Sequence, residues 1–121
     1  MALFTDVLMR GIRSGILNLS LKDTDELYAC YMPFVKNGGL FIPTRKQFSI
    51  GDEVFVLLEL MDEPDKLPLT GKVVWVTPKG TAGNRRQGVG VQFPPESDHL
   101  TQRIETYLAG LLSTGKQTNT L

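Results

Sequence analysis

Short apolar runs alternate with polar, glycine-containing turns along most of this chain, and this pattern predicts a β-rich fold. The segment Ile16–Leu21 places Leu17, Leu19 and Leu21 on one face, which is typical of a half-buried strand. Five more apolar runs predict strands at about Leu27–Met32, Leu40–Ile42, Glu53–Leu60, Leu67–Val76 and Gly88–Phe93. Six short strands at this spacing predict an all-β fold, a small closed antiparallel barrel without exposed strand edges.

Glycine and polar residues mark the turns between these strands. Asn37-Gly38 is a strong hairpin signal, because both central residues of a type I′ turn need positive φ. Lys22–Glu26 is predicted to be a polar turn. Gly71 lies inside a predicted strand, where a glycine indicates a bulge or a bend.

The chain is predicted to end in one amphipathic helix and a tail. Pro94-Pro95 stops the last strand, Ser97 is a candidate N-cap, and Asp98 lies in the first turn. An apolar stripe at helical spacing follows, formed by Leu100, Ile104, Tyr107, Leu108, Leu111 and Leu112. The predicted organisation is an N-terminal arm at 1–14, a barrel with its helix at 15–112, and a flexible tail at 113–121.

Composition narrows the class of protein. The chain has 121 residues with 13 basic and 13 acidic side chains, so bulk attraction to nucleic acid or anionic lipid is not expected. No stretch approaches the roughly 18 apolar residues of a membrane span. The single cysteine, Cys30, is predicted to be a buried structural residue in a reducing compartment. We therefore expect a cytoplasmic protein that is a monomer and is not embedded in a membrane.

Few residues offer catalytic or metal-binding chemistry. The one histidine, His99, has no partner at ligand spacing, and Asp62, Glu63 and Asp65 form a turn without the offsets of a calcium loop. Nucleotide-binding and nucleophile motifs are lacking. We expect a protein that is not an enzyme and that has no cofactor.

Several segments together resemble the PilZ domain. They are Gly39–Ile42, Glu53–Leu60, Gly71–Val76 and Gly88–Phe93, in that order. The phrase Tyr31–Gly39 (YMPFVKNGG) is similar to the divergent branch of the family found in type IV pilus assembly. The resemblance implies a six-stranded PilZ-type barrel with a C-terminal helix.

Typical PilZ domains bind cyclic di-GMP through R-x-x-x-R on an N-terminal arm and D/N-x-S-x-x-G in the first hairpin. When the motif glycine is aligned on Gly39, Phe34 stands where Asp or Asn is required, and Lys36 stands where Ser is required. On the arm, Arg10-Gly11-Ile12-Arg13 is one residue too short for the arginine motif. The resemblance therefore implies a degenerate ligand loop at Phe34, Lys36 and Gly39.

The function implied is that of an adaptor in type IV pilus biogenesis and twitching motility. Its expected partners are the pilus extension ATPase and a degenerate EAL-domain regulator, which would carry the cyclic di-GMP signal in its place. Two alternatives stay open, a cyclic di-GMP receptor with an unconventional site and a small nucleic-acid-binding barrel.

Aromatic residues next to the degenerate loop are candidates for partner binding. In a strand, Tyr28 and Tyr31 would lie on opposite faces, so that one of them lies outside the core. Trp75 would face opposite to Val74 and Val76. Trp and Tyr are favoured at interface hot spots, which makes Tyr28, Tyr31 and Trp75 the candidate partner-binding residues. Alternatively, these aromatics pack beneath the arm or the helix.

Overall fold

A computed structural model describes residues 16–80, 86–109 and 119–120. The predicted N-terminal arm and most of the predicted tail lie outside these residues. The described part contains five strands and two α-helices. In chain order they are β1 (Ile16–Leu21), α1 (Thr24–Cys30), β2 (Gly39–Pro43), β3 (Glu53–Leu60), β4 (Leu67–Thr77), β5 (Gly88–Gln92) and α2 (Asp98–Tyr107).

The five strands form one sheet in the order β1-β3-β4-β5-β2. All neighbouring pairs are antiparallel except β1 and β3, which run parallel, with Leu17 opposite Val56 and Leu21 opposite Leu60. β1 and β2 are the edges of this sheet. The described residues thus form a half-barrel, and the prediction of a closed six-stranded antiparallel barrel is wrong.

The missing sixth strand is a helix. The prediction placed a strand at Leu27–Met32, whereas Thr24–Cys30 forms α1. Asp23 explains the difference, because its Oδ1 accepts a hydrogen bond of 2.8 Å from the Glu26 backbone N–H and so caps the first turn. The predicted polar turn at Lys22–Glu26 is therefore the start of this helix. Leu27, Tyr28 and Cys30 face the core from it.

The alternation of apolar residues predicted β1 and β3 correctly. Their burial alternates along both strands, and the inward residues of β3 are Val54, Val56, Leu58 and Leu60. In β4 the irregularity lies between Val73 and Trp75 rather than at Gly71, where the bulge was predicted. Gly71 is needed for close approach, since an added Cβ would lie 2.6 Å from the Gln92 carbonyl oxygen of β5.

The C-terminal helix packs against the core as predicted. Leu100, Ile104 and Leu108 are buried, and a 3₁₀ turn at Pro95–Ser97 precedes the helix. Ser97 occupies the N-cap position but makes no side-chain capping bond. Tyr107 lies outside the apolar stripe, where its hydroxyl donates a hydrogen bond of 2.7 Å to Glu63. The other predicted stripe residues, Leu111 and Leu112, lie outside the described residues.

Candidate functional site

The loop between α1 and β2 carries the degenerate ligand motif. Tyr31 and Leu40 form a single antiparallel bridge, and the Met32 N–H donates a hydrogen bond of 2.9 Å to the Gly39 carbonyl. The two ends of the loop therefore lie next to each other. A hairpin was predicted here, but the element before the loop is the helix α1 and not a strand.

The tight turn in this loop is one residue earlier than predicted. The Gly38 N–H donates to the Val35 carbonyl at 2.8 Å, so Lys36 and Asn37 are the central residues. Asn37 and Gly38 both have positive φ, 69° and 83°, as the Asn-Gly signal predicted. The Asn-Gly signal thus predicted the left-handed backbone of these two residues correctly, but the prediction of a type I′ hairpin is wrong.

The turn is held against β5 and α2 by polar contacts. The Gln92 Nε2 donates to the Lys36 carbonyl at 3.0 Å, and the Thr101 hydroxyl donates to the Asn37 carbonyl at 3.0 Å. The Phe93 N–H donates to the Gly38 carbonyl at 2.9 Å. These hydrogen bonds satisfy the carbonyls of the turn and fix its position.

Phe34 and Trp75, which we name the aromatic pair, meet at the surface beside this turn. Their ring centroids are 6.1 Å apart with an interplanar angle of 60°, an edge-to-face arrangement. Phe34 is 47% exposed, while Trp75 is partly buried against the core. The indole Nε1 of Trp75 donates to the Thr77 hydroxyl at 2.8 Å, which fixes the orientation of the ring.

The structure separates the three candidate partner-binding residues. Trp75 is partly exposed, but Tyr28 and Tyr31 are only 6% and 2% exposed. The premise that one of the tyrosines lies outside the core fails, because α1 replaces the strand on which it depended. The Tyr31 hydroxyl instead donates a hydrogen bond of 2.5 Å to the Glu105 carboxylate on α2.

Phe34 was predicted as a residue of the degenerate loop that prevents ligand binding, and it was not among the candidate partner-binding residues. The structure brings it into contact with Trp75, more than forty positions later in the chain. The sequence signal that marks it is its place in an aromatic-rich run with Tyr28 and Tyr31. An exposed phenylalanine at a turn is therefore the surface residue that the sequence argument underestimated.

A groove of about 800 Å³ lies on the other side of the turn. Lys36 and Lys72 contribute positive charge to its lining, and Glu53 and Glu96 contribute negative charge. The groove is therefore mixed in charge rather than a uniformly basic site. The third residue of the degenerate loop, Gly39, is buried, and an added Cβ there would lie 2.7 Å from the Val91 carbonyl oxygen.

Cys30 is buried as predicted. Burial raises the pKa of its thiol from 9.0 to about 12, and the neighbouring Glu26 carboxylate acts in the same direction. A thiol with so high a pKa has almost no thiolate at neutral pH, and the thiolate is the nucleophilic form. Cys30 is therefore a structural residue rather than a reactive one.

A metal site and a membrane-spanning helix each place requirements on the described residues. No group of three His, Cys, Asp or Glu side chains there has the arrangement of a metal site. Across 16–80, 86–109 and 119–120, the helices fall short of the length and apolar character that crossing a membrane needs. His99 is exposed on α2.

Comparison with known proteins identifies the family. The PilZ domain profile matches residues 17–110, well over half of the chain. PilZ domains generally bind cyclic di-GMP or act as adaptors, and they are typically non-enzymatic binding domains that mediate protein interactions. No curated protein matches the chain. The half-barrel, the C-terminal helix and the profile match agree, and the chain belongs to the PilZ domain family.

Proposed function

We propose that this chain is a non-enzymatic adaptor of type IV pilus assembly, which binds partner proteins and does not bind cyclic di-GMP directly. The observation that supports this function is the aromatic pair. Phe34 stands where ligand-binding PilZ domains need Asp or Asn, and its exposed ring contacts Trp75. Where ligand-binding members have a polar side chain that recognises the ligand, this chain has an apolar surface suited to a protein partner.

The chemistry of the loop argues against the usual ligand. A phenyl ring cannot exchange hydrogen bonds with a guanine edge, and Lys36 replaces the serine hydroxyl of the motif. Each buried polar group of a ligand that is left unpaired costs about 1–3 kcal/mol. Because about 1.4 kcal/mol is a tenfold change in affinity, two such losses remove most of a micromolar affinity.

The geometry of Trp75 suits an interface anchor. Tryptophan is enriched at binding hot spots, which combine a large apolar area with one polar group. The hydrogen bond from Nε1 to Thr77 orients the indole before any partner arrives, so little side-chain entropy is lost on binding. Tyr28 and Tyr31 are buried, so they would support the loop and would not contact the partner protein directly.

The proposed partners are the pilus extension ATPase and a degenerate EAL-domain regulator, as the family branch implies. Both partners and the chain would meet in the cytoplasm, with this chain as a monomer. The regulator would bind cyclic di-GMP and pass on the signal through contact. Resemblance supports this assignment of partners, and the aromatic pair supplies a surface for one of them.

The experiment is a binding titration of the purified chain against the purified extension ATPase of the same organism. Phe34→Ala and Trp75→Ala are expected to weaken binding, and Trp75→Ala by about 2 kcal/mol or roughly thirtyfold, as at other hot spots. Ile50→Ala is the matched control, because Ile50 is exposed and apolar but lies in the connection before β3. Equal affinity for all four proteins would overturn the assignment of this surface.

The groove supports a second candidate, a cyclic di-GMP receptor with an unconventional site. Its volume of about 800 Å³ suits a small ligand, and Lys36 and Lys72 could pair with phosphates. Glu53 and Glu96 in the same lining oppose a dianion. Calorimetry with cyclic di-GMP distinguishes the two functions, because low-micromolar binding that Lys36→Ala and Lys72→Ala abolish would favour the receptor.

A further inference from the structure

Two connections at one end of the sheet carry more basic than acidic residues. The connection at 44–52, between β2 and β3, contains Arg45, Lys46 and one acidic residue, Asp52, whose carboxylate accepts a hydrogen bond from the Ser49 N–H. The described parts of the connection between β4 and β5 contain Lys79 and Arg86 and no acidic residue. In a chain of zero net charge, this end of the sheet is locally positive.

The strand register brings these two connections together. Pro43 at the end of β2 and Thr77 at the end of β4 both pair with Gly88 at the start of β5. The Thr44 N–H also donates to the Gln87 carbonyl at 3.2 Å, which joins the connections directly. The Lys46 N–H donates to the Thr44 hydroxyl at 3.1 Å and fixes the start of its own connection.

A cleft of about 420 Å³ lies between the connections, and we name it the basic cleft. Lys46 and Lys79, one from each connection, line it and are exposed, and Phe48, Val76 and Pro78 give it apolar lining. Val76, next to the end of β4, is 39% exposed. The cleft thus combines an apolar lining with a positive charge from each connection.

The lysines of the cleft carry charge that the described residues leave uncompensated. Neither Lys46 nor Lys79 takes part in an ion pair within the described ranges, whereas Arg86 is held by Glu26 at 2.7 Å. Neither Phe34 nor Trp75 lines the cleft, but Thr77, whose hydroxyl accepts the hydrogen bond from Trp75 Nε1, does, so the cleft adjoins the aromatic pair without including it.

We infer that the basic cleft is a second docking surface, which binds a peptide segment of a protein partner with carboxylates on both sides of an apolar residue. The carboxylates pair with Lys46 and Lys79, and the apolar side chain covers Val76. Charge complementarity selects this partner and orients it. A nucleic acid fits less well, because stacking platforms need exposed aromatic rings, and Phe48, the one aromatic ring among the described lining residues, is 9% exposed.

The test uses a fluorescein-labelled peptide in which Glu-Glu-Leu-Phe-Glu-Glu is flanked by glycines, added to the full ¹⁵N-labelled chain. We expect saturable binding that weakens as salt is raised, with amide shift changes at 44–48, 76–79 and 87–89. Replacing Leu-Phe by Gly-Gly, or every Glu by Lys, should abolish it. Shift changes confined to other residues, or binding indifferent to these peptide changes, would overturn the inference.

Variants of the chain complete the test. The double variant Lys46→Glu with Lys79→Glu should weaken peptide binding by about tenfold or more, because two surface attractions are lost and two repulsions replace them. Lys22→Glu with Lys66→Glu is the matched control and should leave the affinity unchanged, because both lysines are exposed and lie outside the cleft and outside the groove that Lys36 and Lys72 line. Equal weakening in the control, or tighter binding of a single-stranded oligonucleotide than of the peptide, would contradict a peptide-docking surface.

Discussion

The buried hydroxyl of Tyr31 donates a hydrogen bond of 2.5 Å to the carboxylate of Glu105. Tyr31 immediately follows α1, and Glu105 lies on α2, so this bond connects the two helices across the edge of the core. It also lies next to the loop that carries Phe34. The position of the candidate surface therefore depends on a contact between residues far apart in sequence.

Tyr31→Phe removes this hydrogen bond and keeps the ring. We expect the free energy of unfolding to fall by about 1 kcal/mol, because Glu105 is exposed and regains water when the hydroxyl is removed. Tyr31→Ala should cost about 3–5 kcal/mol, since it also leaves a cavity. Urea denaturation measures both variants. A Phe variant as unstable as the Ala variant would show that the hydroxyl, not the ring, dominates.

Alkaline pH should destabilise the fold. Burial raises the pKa of the Cys30 thiol from 9.0 to about 12, and burial with the Glu105 hydrogen bond raises the pKa of Tyr31. Both groups keep their protons longer in the folded state than in the unfolded state. Their contribution to stability is therefore complete below pH 9 and is lost as the pH rises toward 12.

Urea denaturation at a series of pH values checks this expectation. Cys30→Ala should flatten the pH dependence in this window relative to the parent chain, because the alanine has no proton to lose. Identical slopes in the two proteins would mean that Cys30 titrates no differently in the folded and unfolded states.

Asp23→Ala should destabilise the chain by about 1 kcal/mol through loss of the N-cap of α1. Asp23→Asn keeps an oxygen acceptor for the Glu26 N–H and should cost much less. Asp25→Ala, in the first turn of the same helix, controls for loss of a carboxylate near the helix N-terminus. Thermal melts of the three variants measure their stabilities. An equal loss of stability in all three would show that the negative charge, and not the capping hydrogen bond, is what matters.

The contact between Phe34 and Trp75 should appear as a coupling energy. Edge-to-face pairs contribute about 0.5–1.5 kcal/mol beyond burial, and the exposure of Phe34 places this pair at the lower end. A double-mutant cycle with Phe34→Ala and Trp75→Ala, followed by urea denaturation, measures it. In a control cycle of Phe34→Ala with Tyr107→Phe, the two changes in the free energy of unfolding should simply add. Additivity in both cycles would mean that the two rings do not interact in solution.

The strands with one buried face could be predicted from sequence, since alternation in Ile16–Leu21 and Glu53–Leu60 specifies both the element and its inner face. The helix α1 was missed for a physical reason. Leu27-Tyr28-Ala29-Cys30 is a short continuous apolar run, which fits a buried strand and a buried helical turn equally, so its period is ambiguous. Asp23, followed three residues later by Glu26, is a capping pattern that separates these cases.

The candidate surface could be predicted only in part. Trp75 is partly buried against the core, and its role in partner binding stays a prediction; the alternation argument behind it fails locally, because the irregularity between Val73 and Trp75 interrupts the two-residue period. The partnership of Trp75 with Phe34 depends on sheet order, which brings β4 next to the loop before β2. Sequence pattern specifies which residues point inward, but it does not specify which strands become neighbours.

The order of the strands also affects how the chain folds as it is made. Among the described strands β2 pairs with β5 alone, and its other described β-contact is the single Tyr31–Leu40 bridge, so Leu40 and Ile42 gain their strand partners Val91 and Val89 late in synthesis. β3 and β4 are synthesised in the interval and can pair with each other at once. On the ribosome, an apolar strand thus stays without its partner until most of the domain has emerged. Gly39–Pro43 is the segment from which misassembly of the nascent chain would begin.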